Sequence, residues 1–418
     1  MIMKFAPDLA GYMFASVATR RFNEVFRFAY DLKEDVDPAR LQQALEDLRP
    51  RFPSFYVKLQ RGLFRDTLVP TAPAPLRKES GAPCQPVHLA DGKPLFQVYY
   101  RIRRISIEFS HILADGEGAL VFLHTLLARY LQLGGAVIDY AEAGLLSLDE
   151  PPQPEELRDD YRHFAQKGLD SPMPVPRAFC YRAPRTPGYL QVLHAQMLLD
   201  TVRSLAKAKG VTITEYLMAA YFHAFYVTNP QAKQGKKPFV LTVPVSMRKY
   251  YNSTSLRNFS QVANIAFDPR GQENFTFDNI LDNIKGKLAA QTTKEEMEKQ
   301  LCRNVTLANM PIEKVAPGPI RRLAIRIGYR VVGEGTSTLS NIGVVTLPPC
   351  LQAHLTHPLT MVGVLPFICL RGIVFSCNDS LHVSLSCNSK DDRVQQAFFA
   401  VLQEQGVPVQ HQILSLEE

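Results

Sequence analysis

The chain has 418 residues, 46% of them hydrophobic and 21% charged, with a formal net charge of +7. That length exceeds one small core and fits two domains of about 200 residues each. The composition is that of a globular protein, and it lacks the basic runs of a nucleic-acid arm and any 18-residue apolar stretch able to span a membrane.

The seven cysteines are odd in number and lack CxxC spacing, which argues against a zinc site and a disulfide framework and fits a reducing cytosol. Near the start, Lys4 and Asp8 interrupt what would be the apolar core of a signal peptide, so the expected location is cytoplasmic.

Residues Val25 to Leu32 alternate as a strand, and Asp37 caps a helix that runs to about Leu48. Val57 to Val69 reads as a hairpin, and Phe96 to Tyr100 and Ile102 to Phe109 as two further strands. Leu120, Phe122, Leu123, Leu126, Leu127, Tyr130 and Leu131 then recur at helical spacing. A proline-rich stretch from Asp149 to Pro187, with one polar helix over about Glu155 to Lys167, marks the connection between halves. The expected division is a first domain over 1–172, a linker over 173–188 and a second domain over 189–418.

The second half opens with a strand over 189–197 and helices over 199–209 and 213–226. Strands over 238–245 and 262–268 and helices over 279–290, 294–307 and 319–329 follow. A strand over 337–345, a strand pair over 372–376 and 382–386 and a closing helix over 391–405 complete it. The expected class is α/β or α+β, each half built as helices on a mixed sheet.

His111-Ile112-Leu113-Ala114-Asp115-Gly116 joins the last strand of the first half to its long helix. A histidine at a strand end, an aspartate four residues on, then a glycine and a helix can position a general base, because imidazole accepts a proton near neutrality. Three more motifs accompany it: Val243-Pro244-Val245-Ser246-Met247-Arg248, Arg257-Asn258-Phe259, and Thr338-Leu339-Ser340-Asn341-Ile342-Gly343. A metal reading fails for want of a third and fourth ligand, His124 offering no clear partner. A serine-hydrolase reading fails because there is no GxSxG elbow.

With these motifs the chain resembles the acyltransferase superfamily of chloramphenicol acetyltransferase, over nearly its whole length. Within it the chain is most similar to the alcohol-acetyltransferase-like branch and is related to peptide-synthetase condensation domains. Two departures separate it from other branches. Ser110 stands where condensation domains carry a first histidine, and the chain has no tryptophan and so no Asp-Phe-Gly-Trp-Gly signature of the plant members.

The resemblance implies two similar subdomains packed as a pseudo-dimer with the active site in a tunnel between them. His111 would be the general base, and Ser340 and Asn341 would hydrogen-bond the oxyanion or the acceptor from the second half. Asp115 would pair with Arg248, the alternative being that it orients His111 directly. Gly116 would allow the sharp turn into the helix, and Asn258 would be a structural hydrogen-bonder.

The implied reaction is direct transfer of an acyl group from acetyl-CoA or another coenzyme A thioester to a hydroxyl or amine acceptor. It has no covalent enzyme intermediate and no permanently bound cofactor or metal, and the protein is expected to be a monomer. An acyl carrier protein as donor, or a non-catalytic binding protein on the same fold, are the alternatives.

Overall fold

Two mixed sheets carry the chain. The structure is a computed structural model that describes residues 4–414 except 21, 23, 88, 90–91, 167, 169–176, 187, 236, 271–274, 311–314, 333–334 and 366–367. In the first half the elements are α1 (Leu9–Val17), β1 (Val25–Leu32), α2 (Pro38–Asp47), β2 (Val57–Gln60), β3 (Thr67–Pro70), β4 (Arg77–Lys78), β5 (Phe96–Arg101), β6 (Arg104–Ser110) and α3 (Gly116–Leu133). A short α4 (Asp160–Phe164) precedes β7 (Gln191–Leu198), α5 (Leu199–Ala208), α6 (Ile213–Thr228), β8 (Phe239–Ser246), α7 (Arg248–Tyr251) and β9 (Ser260–Phe267). Then come α8 (Phe277–Ile284), α9 (Lys287–Gln291), α10 (Lys294–Ala308), α11 (Gly318–Val332), β10 (Ser337–Val344), α12 (Pro349–Gln352), β11 (Leu355–Val362), β12 (Leu370–Cys377), β13 (Ser380–Cys387), α13 (Arg393–Glu404) and β14 (Gln410–Ile413).

The first sheet has the order β11-β1-β6-β5-β4 and the second β14-β7-β13-β12-β10-β8-β9; β2 and β3 form a separate hairpin. Each sheet is covered by one long helix whose composition fits its burial. On the first, α3 inserts Phe122 among Phe52, Phe55, Phe96 and Phe109, all buried. On the second, α6 opens with a capping box made by Thr212 and Glu215 and buries Tyr216, Tyr221, Phe222 and Phe225.

β1 lies between β11 and β6 and is buried on both faces. Phe26, Phe28 and Tyr30 join the core with α3. From the other face Arg27 meets Glu108, with Nη2 at 2.6 Å, and Glu79. A buried charge of this kind is tolerable only when paired.

The structure departs from the sequence reading at several places. β11 belongs to the first sheet, pairing antiparallel with β1 (Phe26 opposite Val362, Tyr30 opposite Pro358), so the 173–188 division does not separate two closed units. Val345, Leu351, Leu355, Val362, Ile373 and Phe375 also join the core under α3. The expected helix over 155–167 is a single 3-10 turn (Pro154–Leu157) and α4, because Asp159 caps afresh and accepts from Arg162 N at 3.4 Å. Lys167 and residues 169–176 lie outside the described residues. The helix expected over 279–290 breaks into α8 and α9 at Gly286, whose φ of 75° is left-handed. The strand β8 ends at Ser246, so Arg248 begins the one-turn α7 rather than closing a strand. Among the described residues no helix is long and apolar enough to cross a membrane.

Candidate active site

β6 ends at Ser110, and the next backbone N–H, that of His111, donates to the Glu24 carbonyl at 2.8 Å. The imidazole is half-buried against Phe26 (centroids 4.5 Å apart) and Phe14 of α1 (5.1 Å). Burial pushes its pKa below the ordinary 6.5, only partly opposed by the carboxylate of Glu24. The ring is therefore a neutral base at physiological pH.

Asn258 sets the tautomer of the ring. Its Nδ2 donates to the His111 carbonyl (2.9 Å) and to both carboxylate oxygens of Asp8 (3.2 and 3.1 Å). With the amide turned this way, its Oδ1 faces His111 Nδ1 at 3.4 Å. An amide oxygen can only accept, so the network assigns the proton to Nδ1 and leaves the Nε2 lone pair to act.

Asp8 caps α1 through Gly11 N at 2.7 Å and also accepts from Asn258 N at 3.2 Å. Burial pushes its carboxyl up to about 6, against the pull of Arg257, whose Nε lies 3.6 Å away. The order Asp8–Asn258–His111 thus runs from a buried carboxyl through an oriented amide to the imidazole.

Asp115 does not touch the ring. It caps α3, accepting from Gly118 N at 3.2 Å, and takes Arg248 Nη1 at 2.7 Å and Phe259 N at 2.8 Å. Arg248 also donates to the carbonyls of Ser255 (2.8 Å) and Arg257 (2.6 Å). Burial alone would weaken the Arg248 charge, but Asp115 more than offsets it and the pKa is raised. This unit fastens α3 of the first half to the 255–259 segment, which in turn carries Asn258.

Gly116 does not supply the turn by a left-handed backbone. It is the first residue of α3, and an added Cβ would meet only Phe28 Cζ, at an ordinary 3.7 Å. The close approach falls on Gly118, where a Cβ would overlap the Leu256 carbonyl, and on Gly11, where it would lie 2.6 Å from the Ile112 oxygen. These two glycines let α3 and α1 press against the segments that hold Asn258 and His111.

Ser340 and Asn341 sit on β10 with side chains on alternate faces. Asn341 Nδ2 donates to Thr214 of α6 at 2.8 Å, and its Oδ1 accepts from Gly343 N at 2.8 Å, so both ends of its amide are engaged. Ser340 shares its face with Thr338, whose hydroxyl accepts from Arg371 Nε at 3.1 Å. Arg371 Nη1 reaches Glu24 Oε2 at 2.6 Å, and Glu24 is the residue that holds the His111 backbone. Sequence reasoning missed Asp8, Glu24 and Arg371. The Pro7-Asp8 step before an apolar run was a readable helix-start signal; the other two have partners hundreds of residues away and no local signature.

A cavity of about 10 Å³ lies among Phe28, Leu120, Val345, Leu359 and Phe375. Ser110 is turned back, its Oγ accepting from Ile112 N at 3.4 Å. Among the described residues no group of three or more His, Cys, Asp or Glu side chains could hold a metal ion.

Neither the family models nor the sequences of characterised proteins give a match to this chain. Solved structures do. Polyketide synthase associated protein 5 from Mycobacterium tuberculosis superposes with a TM-score of 0.62 at 12% identity, covering 96% of this chain and 98% of the other. The TRI3 trichothecene 15-O-acetyltransferase of Fusarium sporotrichioides gives 0.58 at 11%, over 96% and 94%. The wax ester synthase/diacylglycerol acyltransferase of Marinobacter aquaeolei VT8 gives 0.53 at 14%, over 95% and 98%. The chain has the mixed α/β fold of these proteins.

Proposed function

We propose that the protein is an acyltransferase in which His111 Nε2 acts as general base. The observation that carries this reading is the Asp8–Asn258–His111 arrangement: a neutral imidazole with its Nδ1 proton fixed by an oriented amide, on a fold shared with proteins named as acyltransferases. An acceptor hydroxyl or amine attacks the carbonyl of a thioester while Nε2 takes its proton. The tetrahedral intermediate then collapses, the C–S bond breaks and the imidazolium returns the proton to the leaving thiolate. Acyl group, proton and electron pairs balance without a covalent enzyme intermediate.

The donor in this reading is a coenzyme A thioester with a short acyl group. The mild positive charge of the chain supports it, since coenzyme A carries several phosphate charges. The test follows thiol release from acetyl-CoA with a panel of simple alcohols and amines, alongside calorimetric binding of free coenzyme A. Acceptor-dependent release supports the reading. If only an acylated carrier protein reacts, the donor assignment is wrong; if no thioester reacts but ligands bind, the protein is a binding module on this fold.

A further inference from the structure

An amphipathic helix on a folded protein normally turns its apolar stripe inward. In α11 the stripe turns outward. Ile320, Leu323 and Ile327 lie at helical spacing on one face, with Val315 just before the helix and Leu63 and Phe64 at the tip between β2 and β3. These six side chains are 54% to 72% exposed. The tip and the helix start are joined, since Gly318 N donates to the Leu63 carbonyl at 2.5 Å and Arg321 donates to that of Phe64.

The inward face of α11 is held by arginines instead. Arg326 donates to the Ser16 and Ala18 carbonyls at 2.7 and 2.8 Å, and Arg322 meets Asp66 at 3.1 Å. The tip and helix segments, 61–66 and 315–329, contain Arg61, Arg65, Arg321, Arg322 and Arg326 against a single acidic residue, Asp66, which is buried between Arg61 and Arg322. An exposed apolar patch on a monomer marks an interaction surface. Arg65 and Arg326 are exposed at its border and the two segments carry a net positive charge, so the patch complements a surface that is apolar inside and anionic at its rim.

We infer that α11 and the 63–64 tip dock the protein on an anionic lipid surface, the aliphatic stripe entering the acyl boundary and the exposed Arg65 and Arg326 at its rim meeting headgroup phosphates. The docked face lies beside the site. Arg326 grips the end of α1, and the same helix places Phe14 against His111. The inference does not depend on acyl transfer, because docking is read without substrate.

The full chain is sedimented with phosphatidylglycerol-rich vesicles and with pure phosphatidylcholine vesicles, at low and high salt. Binding to the anionic vesicles, weakened by salt, is expected. Combining Ile320→Ser, Leu323→Ser and Ile327→Ser should weaken it about tenfold or more, with an unchanged melting temperature, because the side chains are exposed. If that variant is unstable, the tip variant Leu63→Ser with Phe64→Ser reports on the same surface and should also weaken binding. Absence of wild-type binding to either vesicle, or equal binding by a folded variant, overturns the inference. So does a concentration-dependent dimer that the helix variant abolishes while vesicles stay unbound; the occupant is then a second copy of the chain.

Discussion

His111 and Asp115 stand four residues apart and are held by opposite physics. Asp115 is held by pairing: a guanidinium and two backbone N–H groups surround it. His111 has aromatic walls and one long contact to a neutral amide, and it stays uncharged because burial disfavours the imidazolium. Saturating one end of the motif fixes the loop, so the other end is positioned without strong partners of its own. Breaking the two ends should therefore give different phenotypes.

The largest effect is expected on rate at His111. His111→Ala should lower acyl-transfer turnover by about 100- to 10,000-fold with an unchanged melting temperature. Retention of more than a tenth of wild-type turnover removes His111 from the role of base. At the other end, Arg248→Ala strands the Asp115 carboxylate and should cost about 3–5 kcal/mol of stability in denaturant titration. Asp115→Ala should behave similarly, and the double variant should be less than additively destabilised. Strict additivity would mean that the pair does not act as one unit.

Asn258 belongs to both ends, since it orients the ring and lies beside the Arg248 anchor. Asn258→Ala should lower kcat about tenfold or more, less than loss of the base itself, with KM little changed. A selective rise in KM would make Asn258 a substrate contact instead.

A further expectation, on stability alone, is a slope with pH. Burial lowers the imidazoles of His124 and His382 to about 4 and of His194 to about 3, from an ordinary 6.5. Between those limits the unfolded chain binds more protons than the folded one. Stability is then lost as pH falls from about 6.5 toward 4, by roughly 1.4 kcal/mol per pH unit for each imidazole at most. Asp8 works the other way: its carboxyl, raised to about 6 from 3.8, favours folding on acidification and offsets one histidine in that window. Denaturant midpoints flat from pH 7 to 5 would contradict the burial of these rings.

Much of the frame was legible in the sequence. The α2 cap at Asp37, the apolar spacing of α3 and the capping box of α6 are local signals, carried by residues within a few positions of each other. The His111 and Asp115 positions were legible for the same reason. The Asp8 cap was legible but its link to Asn258 was not, and neither were Glu24 and Arg371, because hydrogen bonds spanning 250 or 347 residues leave no periodicity to read. Ser340 and Asn341 were found together but separated by the strand's alternation. For α11 the spacing marks a helix and is silent on the direction of its stripe, which arginine contacts to α1 decide.

The loan of β11 to the first sheet sets an order of events during synthesis. β1 and β6 leave the ribosome early, yet the strand that closes the β1 edge ends at Val362, roughly 250 residues after β6. At about 5–20 residues per second that wait is on the order of ten to fifty seconds. Throughout it, β1 presents an unpaired edge and the α3 core lacks Val345, Leu355, Val362 and Phe375. A nascent chain in that condition is a natural client for a holdase. A gene split in the 173–188 segment should yield a first fragment that aggregates alone and is rescued only by co-expression of the second.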